Sequence, residues 1–204
     1  MPTRRRFVGA TLAAPLVATL PCAVHAAATI HRLEGAVFVN DRRADAQAAI
    51  APGDAIVVGH DGRLEFSLGE DSYRLGPRSA LTLEGGTVLG ALRLLTGTLL
   101  AVFGERRARL PVHTGFATIG IRGTGVFLAA APRRLYTCTC YGTTDLVGGG
   151  VDDVITATHH TAHVLAPAAD GRLHLTPAAM QDHGDDDLRA LEAHHGRVPA
   201  FDRG

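Results

Sequence analysis

The stretch "AIVVGHDGRLEFSLGEDSYRLGPRSALTL" (residues 55–83) decides the fold class, because short apolar runs alternate in it with turn residues. In the run "RLEFSL", Leu64, Phe66 and Leu68 fall on one face of an extended strand, and the polar residues fall on the other. This period of two predicts a strand with one face in the core and one in water. The same rhythm begins at "LEGAVFVN" (residues 33–40) and predicts an all-β protein.

Two later stretches refine this prediction. The segment "ALRLLTGTLLAVFG" (residues 91–104) is rich in leucine, but Gly97 divides it, and we expect two separate strands. Helical signals gather near the end of the chain. Residues 185–187 are three aspartates suited to a first turn, Gly196 is suited to a helix end, and residues 176–177 suit the start of a further short helix.

The N-terminal residues have the pattern of a twin-arginine export signal, "TRRRFVGA" (residues 3–10). Its informative positions are Arg4, Arg5 and Phe7. The apolar run over residues 8–20 is too short to span a bilayer, and a cleavage pattern ends at Ala26. Residues 1–26 are therefore predicted to be a signal peptide. The mature protein is expected in the periplasm, without a transmembrane helix.

The charge balance and the absence of two catalytic motifs disfavour several classes of function. The 20 acidic residues balance 20 basic residues, all of them arginine, so a nucleic acid is a poor candidate partner. The chain lacks the nucleophile elbow of α/β-hydrolases and the His-Glu-x-x-His motif of zinc proteases. No catalytic residues are predicted, and a non-enzymatic role is favoured over an enzymatic one.

Five stretches, in order, resemble the FecR domain, the periplasmic module of ferric-citrate-type regulators. They are "GAVFVNDRRA", "IAPGDAIVVGHDGRLEF", "YRLGPRSALTL", "LRLLTGTLLAVFG" and "HTGFATIGIRGTGVFL", and together they span residues 35–128. The most specific elements are two turns, Gly53-Asp54 and Arg122-Gly123-Thr124. The glycines of "GIRGTG" (residues 120–125) also invite a phosphate-loop interpretation. That motif lacks the Lys-Ser/Thr ending and a following helix pattern, so a turn between strands is favoured.

The resemblance implies a jelly-roll-like β-sandwich with a sensing or protein-interaction role, so a protein or envelope ligand is the expected partner. We expect the β domain over residues 30–130 and a C-terminal extension with short helices over residues 131–204. FecR-type regulators carry a cytoplasmic segment and a membrane-spanning helix before this domain, whereas an export signal precedes it here. Direct signalling to a cytoplasmic sigma factor is therefore not implied.

The cysteines of the extension stand in "LYTCTCYG" (residues 135–142). On a strand, Tyr136, Cys138 and Cys140 project to one face. Same-face neighbours lie about 6.5 to 7 Å apart at Cα, at the upper limit of disulfide geometry. The two thiols are better suited to supply two of the four ligands of a tetrahedral metal site than to form a disulfide with each other. Packed free thiols and thiol redox chemistry remain as alternatives.

Histidine could supply the other half of such a site. Seven of the 11 histidines lie within the last 46 residues, which favours a metal site, with zinc or another transition metal as the candidate cofactor. If "ITATHHTAHVL" (residues 155–165) is one strand, His159 and His163 share a face, and they are the predicted second pair. His160 would project to the other face of that strand and is the alternative candidate ligand. His183, His194 and His195 are expected to face solvent or to cap helix ends.

Overall fold

The computed structural model describes residues 27–203, and the predicted signal peptide lies outside the described residues. In the described part, fifteen strands are followed by one α-helix and one turn of 3₁₀-helix, Ala200–Asp202. The strands and the helix are β1 (Thr29–Glu34), β2 (Val37–Val39), β3 (Arg42–Arg43), β4 (Ala55–Val58), β5 (Arg63–Leu68), β6 (Asp71–Leu75), β7 (Ala80–Gly85), β8 (Leu89–Val102), β9 (Leu110–His113), β10 (Thr118–Ile121), β11 (Gly125–Ala131), β12 (Arg134–Gly148), β13 (Val151–Ala157), β14 (Thr161–Pro167), β15 (Leu173–Ala178) and α1 (Asp185–Ala193).

The strands form two sheets that share β8 and β12. Sheet A has the order β1-β5-β6-β8-β11-β12-β14-β15. Sheet B has the order β3-β2-β4-β7-β8-β9-β10-β12-β13. All pairings are antiparallel except that between β8 and β9. The expected all-β sandwich is confirmed, and strand pairing is continuous between its two layers.

Two glycines mark the points where the long strands pass from one sheet to the other. β8 pairs with β7 up to Thr96 and with β11 from Gly97 onward, where φ is +83°. A Cβ on Gly97 would lie 2.3 Å from the Cα of Ser79, so the bend excludes a side chain. The prediction of two strands was therefore wrong, because this glycine bends one continuous strand. Gly142, with φ +85°, holds the corresponding position in β12.

The main core lies between the sheets and follows the predicted alternation. Leu99 and Ala101 of β8 point into it, while Leu100 and Val102 point to the opposite face of sheet A. The other large, fully buried side chains of this core come from both sheets. They include Ile56, Leu81, Leu83, Leu92 and Leu94 of sheet B and Leu64, Phe66 and Leu75 of sheet A.

Strand β5 departs from the prediction, because its polar face is covered too. Glu65 and Ser67 are 6% and 8% exposed. Glu65 accepts hydrogen bonds from Arg74 and from His194, which follows α1, and Ser67 is bonded to His31 and to Ser72. Polar partners on other elements therefore replace the water that alternation predicts for this face.

The outer face of sheet A is covered by residues 180–203, which we call the C-terminal cover. Leu188 and Leu191 of α1 are fully buried against a second apolar cluster on that face. The helix begins at Asp185, close to the predicted start. No helix forms at residues 176–177, because they belong to the outermost strand β15, where a proline costs no hydrogen bond to a further strand.

The two turns that carry the family resemblance connect strands. Gly53 has φ +101° and precedes β4, and the Asp54 carboxylate accepts a hydrogen bond from the Ala51 amide at 2.8 Å. Residues 122–124 link β10 to β11, with Gly123 at φ +61°. Within residues 27–203, no helix has the length and apolar character needed to cross a bilayer.

Candidate metal centre

Cys138 and Cys140 lie on the outer face of sheet A, under the C-terminal cover. Both are fully buried, and both are free thiols. Their strand β12 is central at this point, since Cys138 is paired with Phe127 of β11 on one side and with Ala162 of β14 on the other. Tyr136 belongs to the same outer cluster, whereas Leu135 belongs to the main core. The alternation of β12 therefore turns both sulfurs to one face.

His160 approaches the sulfurs from the bulged connection between β13 and β14, residues 158–160. Its backbone N–H donates to the Cys140 carbonyl at 2.8 Å, which fixes this connection to β12. Its Nδ1 lies 3.5 Å from Cys138 Sγ. Its Nε2 lies 2.9 Å from Asp185 Oδ1, so a proton on Nε2 leaves the lone pair of Nδ1 directed at the sulfur.

His183 approaches from the other side, on the segment before α1. Its Nε2 lies 3.4 Å from Cys140 Sγ, and its Nδ1 lies 2.8 Å from the Gln181 carbonyl oxygen. A carbonyl can only accept, so Nδ1 carries the proton and Nε2 offers its lone pair to the sulfur. The ring stacks on Phe127 with 4.5 Å between centroids, which holds it in this orientation.

The four donor atoms have the spacing of one tetrahedral site. They all lie within 4.8 Å of one another. With zinc–sulfur bonds of about 2.3 Å and zinc–nitrogen bonds of about 2.0 to 2.1 Å, a tetrahedron separates sulfur from nitrogen by about 3.6 Å. The two sulfur–nitrogen distances are 3.5 and 3.4 Å. In each histidine, moreover, the nitrogen that faces away from the sulfurs donates to a carboxylate or a carbonyl, the arrangement usual around bound metals.

The electrostatics favour one thiolate in the pair. The pKa of the Cys138 thiol is lowered, chiefly because the Cys140 thiol donates a hydrogen bond to it, and it is lowered further where the facing nitrogen of His183 or His160 carries a proton and donates to the sulfur. Burial raises the pKa of the Cys140 thiol, and the neighbouring Cys138 raises it further. A cation bound between the sulfurs would replace the remaining proton, since metal ligation deprotonates thiols.

The predicted second pair, His159 and His163, is not the pair that the fold brings to the sulfurs. Residues 155–165 belong to two strands, β13 and β14, that follow one another along β12 in the same direction, and residues 158–160 between them face only residues 140–141 of β12. This extra residue, with His160 at φ +41°, interrupts the alternation of faces. His163 is paired with Thr137, one position from Cys138, and so projects to the other face of the sheet. His159 is half-exposed, and its Nε2 lies 2.8 Å from Asp185 Oδ1. His160, the alternative candidate, is the histidine that reaches Cys138.

The sequence did not identify His183 or Asp185 as part of the site. The surplus of histidines in the last 46 residues was the one available signal for His183. Of the other terminal histidines, His194 does stand at the C-cap of α1, as expected. Its ring is not free in solvent, because it is stacked on His31 at 3.6 Å and bonded to Glu65 at 2.6 Å.

Comparisons with known proteins support the fold and leave the site unassigned. No family profile matches the chain, and no curated protein matches it. Two crystal structures of a protein named "putative anti-sigma factor", from Parabacteroides distasonis ATCC 8503, are similar in fold, each with a TM-score of 0.51 and 10% identity. In both, the match covers 60% of this chain and 59% of the other, so this chain spans less than two thirds of the matched structures.

Proposed function

We propose that this protein is an exported, non-enzymatic binding or sensing module of the FecR type, whose C-terminal extension holds one transition-metal ion. The proposed ligands are Cys138, Cys140, His160 and His183. The proposal rests on the convergence of these four side chains, whose donor atoms all lie within 4.8 Å of one another. In each histidine, the ring nitrogen that faces away from the sulfurs is already hydrogen-bonded. Four protein ligands leave no open position, so the ion would be structural rather than catalytic.

Zinc is the ion that this donor set fits best. Two thiolates and two imidazoles in a tetrahedron suit zinc or an iron–sulfur site. A two-iron cluster would place the thiolates on one iron and the imidazoles on the other, which separates sulfur from nitrogen. The sulfur–nitrogen distances of 3.5 and 3.4 Å fit one shared ion instead.

The regulatory part of the proposal draws on the fold and on the sequence resemblance. The stretches that resemble a FecR domain occupy β2 to β11, which contribute strands to both sheets. The Parabacteroides structures of similar fold carry the name of an anti-sigma factor, and such a factor works by binding another protein. We therefore propose a protein partner for this chain. With the twin-arginine pattern of residues 1–26, the proposed location is the periplasm.

Thiol oxidoreduction is the second candidate function. It is favoured by the free thiols two residues apart and by the lowered pKa of Cys138. The burial of both sulfurs opposes it, because a redox thiol has to reach its substrate. A metal-bound pair would react slowly with a thiol reagent until a chelator is added, whereas a redox pair would react at once.

Metal analysis of the natively exported protein tests the proposal. We expect one equivalent of zinc per chain, and we expect Cys138→Ser to lose it. His163→Gln is the matched control, since this nearby histidine faces away from the sulfurs, and it should keep the ion. A wild-type protein that binds no ion, or a Cys138→Ser variant that keeps it, would show that the proposal is wrong.

A further inference from the structure

We infer that ion binding and the docking of the C-terminal cover on sheet A are one coupled equilibrium, and that Asp185 links helix α1 to the ligand His160. The inference rests on the proposed metal site and adds its regulation. It makes the cover, residues 180–203, the part of the protein that responds to the ion.

The ligands are divided unequally between the sheet and the cover. Cys138 and Cys140 belong to β12, in the interior of sheet A. His160 is tied to the same strand by its backbone bond to the Cys140 carbonyl. His183 alone belongs to the cover. A docked cover therefore completes the tetrahedron, and an undocked cover leaves three ligands.

Asp185 provides a second connection, this time through a ligand. It is the first residue of α1, and its Oδ1 accepts from His160 Nε2 at 2.9 Å and from His159 Nε2 at 2.8 Å. By holding the proton on Nε2 of His160, it keeps Nδ1 available to the ion. Loss of such an outer partner typically weakens metal binding 10- to 100-fold. The cover thus supplies one ligand and the carboxylate that orients another.

His159, His160 and Asp185 could instead be ligands of a second ion, since their donor atoms also lie close together. The distances oppose this. Nitrogen and oxygen ligands of one tetrahedral ion lie about 3.3 Å apart at bonds of about 2.0 Å. Here both nitrogens lie 2.8 to 2.9 Å from a single oxygen, which is hydrogen-bond geometry. Asp185 is therefore assigned as a positioning residue.

The coupling has to act in both directions. If the docked cover strengthens ion binding, the ion stabilises the docked cover by the same factor. Without the ion, His183 keeps its stacking on Phe127, and α1 keeps its two buried leucines. The link that is lost without the ion is the one through the metal between His183 of the cover and the two cysteines of β12. The ion concentration would then set the fraction of molecules whose outer sheet face is covered.

Substitutions at Asp185 test the positioning role. Zinc affinity, measured by competition with a chromophoric chelator, should fall 10- to 100-fold in Asp185→Ala at an unchanged stoichiometry of one. Asp185→Asn should retain most of the affinity, because its amide oxygen still accepts from His160. Asp186→Ala is the control, since that side chain is 99% exposed and pairs with Arg189. With cobalt in place of zinc, the visible spectrum should shift in Asp185→Ala alone.

Unchanged affinity in Asp185→Ala would overturn the assignment. A wild-type protein that binds two ions, one of which is lost in Asp185→Ala, would overturn it as well, because Asp185 would then be a ligand.

Hydrogen exchange on the full chain tests the coupling itself. Zinc should raise the protection of amides in residues 180–203 and leave β4 and β7 unchanged. Leu191→Ala removes a buried side chain of the cover and should weaken zinc binding, whereas Leu81→Ala, equally buried in sheet B, should not. If zinc binds at one equivalent but does not raise the protection of residues 180–203, the inferred coupling is wrong, and the proposed metal site is retained. If the wild-type protein binds no zinc, the proposed function itself fails.

Discussion

The Glu65 carboxylate joins sheet A to the C-terminal cover, and its removal has a calculable cost. Its side chain is 8% exposed, and it accepts from Arg74 Nε at 2.7 Å and from His194 Nε2 at 2.6 Å. Burial raises the pKa of this carboxyl, but the hydrogen bonds from His194 and Arg74 outweigh burial and hold the pKa below its ordinary value. The perturbation that we consider is Glu65→Gln.

The magnitude follows from the two bonds. Hydrogen bonds to charged groups contribute about 1.5 to 3 kcal/mol each, and those between uncharged groups about 0.5 to 1.5 kcal/mol. The glutamine keeps one accepting oxygen, so the free energy of unfolding should fall by about 2 kcal/mol near neutral pH. For a chain of this size, that lowers Tm by about 4 to 8 °C.

The lowered pKa of Glu65 determines how the stability difference between wild type and Glu65→Gln changes with pH. Because the pKa of Glu65 is lower in the folded protein, its contribution to stability is complete above the unfolded value of 4.5 and is lost as the pH falls through the folded value. The difference between wild type and Glu65→Gln should therefore be full at about pH 7 and should vanish by about pH 3. Urea unfolding followed by circular dichroism measures it.

Glu34→Gln is the matched control, because Glu34 pairs with Arg32 at 49% exposure and should change stability by less than about 0.5 kcal/mol. A Glu65→Gln variant as stable as wild type at neutral pH, or a difference that grows as the pH falls, would refute the reasoning.

Three further predictions concern the metal, the bend of β8 and acid sensitivity. Zinc at 100 times Kd stabilises the folded protein by about 2.7 kcal/mol, so the Tm measured with a chelator should be about 5 to 11 °C lower than the Tm measured with that zinc concentration. In the same thermal melts, the chelator should leave the Tm of Cys138→Ser unchanged. Gly97→Ala should destabilise by at least about 2 kcal/mol in urea because of its φ of +83° and its contact with Ser79, whereas Gly86→Ala, with open space around it, should be neutral. Burial and the neighbouring His194 lower the pKa of His31, so stability should fall as the pH drops below the ordinary value of 6.5, and His31→Gln should flatten that slope in melts across the pH range.

The sequence predicted those features that depend on the period of a strand. Alternation placed Leu64, Phe66 and Leu68 in the core, and it placed Cys138 and Cys140 on one face. Both results need only local backbone geometry, because successive side chains of a strand project to opposite faces. Local geometry does not say what covers the second face, and for that reason Glu65 and Ser67 were expected in water.

The histidine pair was mispredicted because an extra residue between β13 and β14 interrupts the period of two. The β-branched residues of "ITATHHTAHVL" favour strand throughout, and no glycine or proline marks a break. The strand is interrupted all the same, because residues 158–160 face only residues 140–141 of β12 and His160 adopts a left-handed conformation that is uncommon for a residue other than glycine. The period of two does not continue across the extra residue, so His159 and His163 do not share a face. His160 is carried to the sulfurs by its backbone bond to Cys140.

His183 and Asp185 lay beyond sequence reasoning for a different reason. They are 43 and 45 residues from Cys140, on a segment whose path is set by how α1 docks. That docking depends on tertiary contacts that no local pattern encodes, such as Arg74 with Asp187 and Glu192 with Tyr141. A cluster assembled from a strand, a bulged connection and a distant segment becomes visible only once the strands are paired.

The composition of the cover explains why a metal site would be useful at this place. Leu188 and Leu191 are its fully buried apolar side chains, and they cannot by themselves offset the conformational entropy of ordering residues 180–203. Phe201 and the ring of His183 add partly buried aromatic contacts, and the ion pairs between the cover and the sheet are partly open to water, where they contribute little. An ion held by two buried sulfurs and two oriented imidazoles would be the strongest single bond between the layers. The sandwich has its own core and should fold without the ion, so metal removal is expected to act first on the cover.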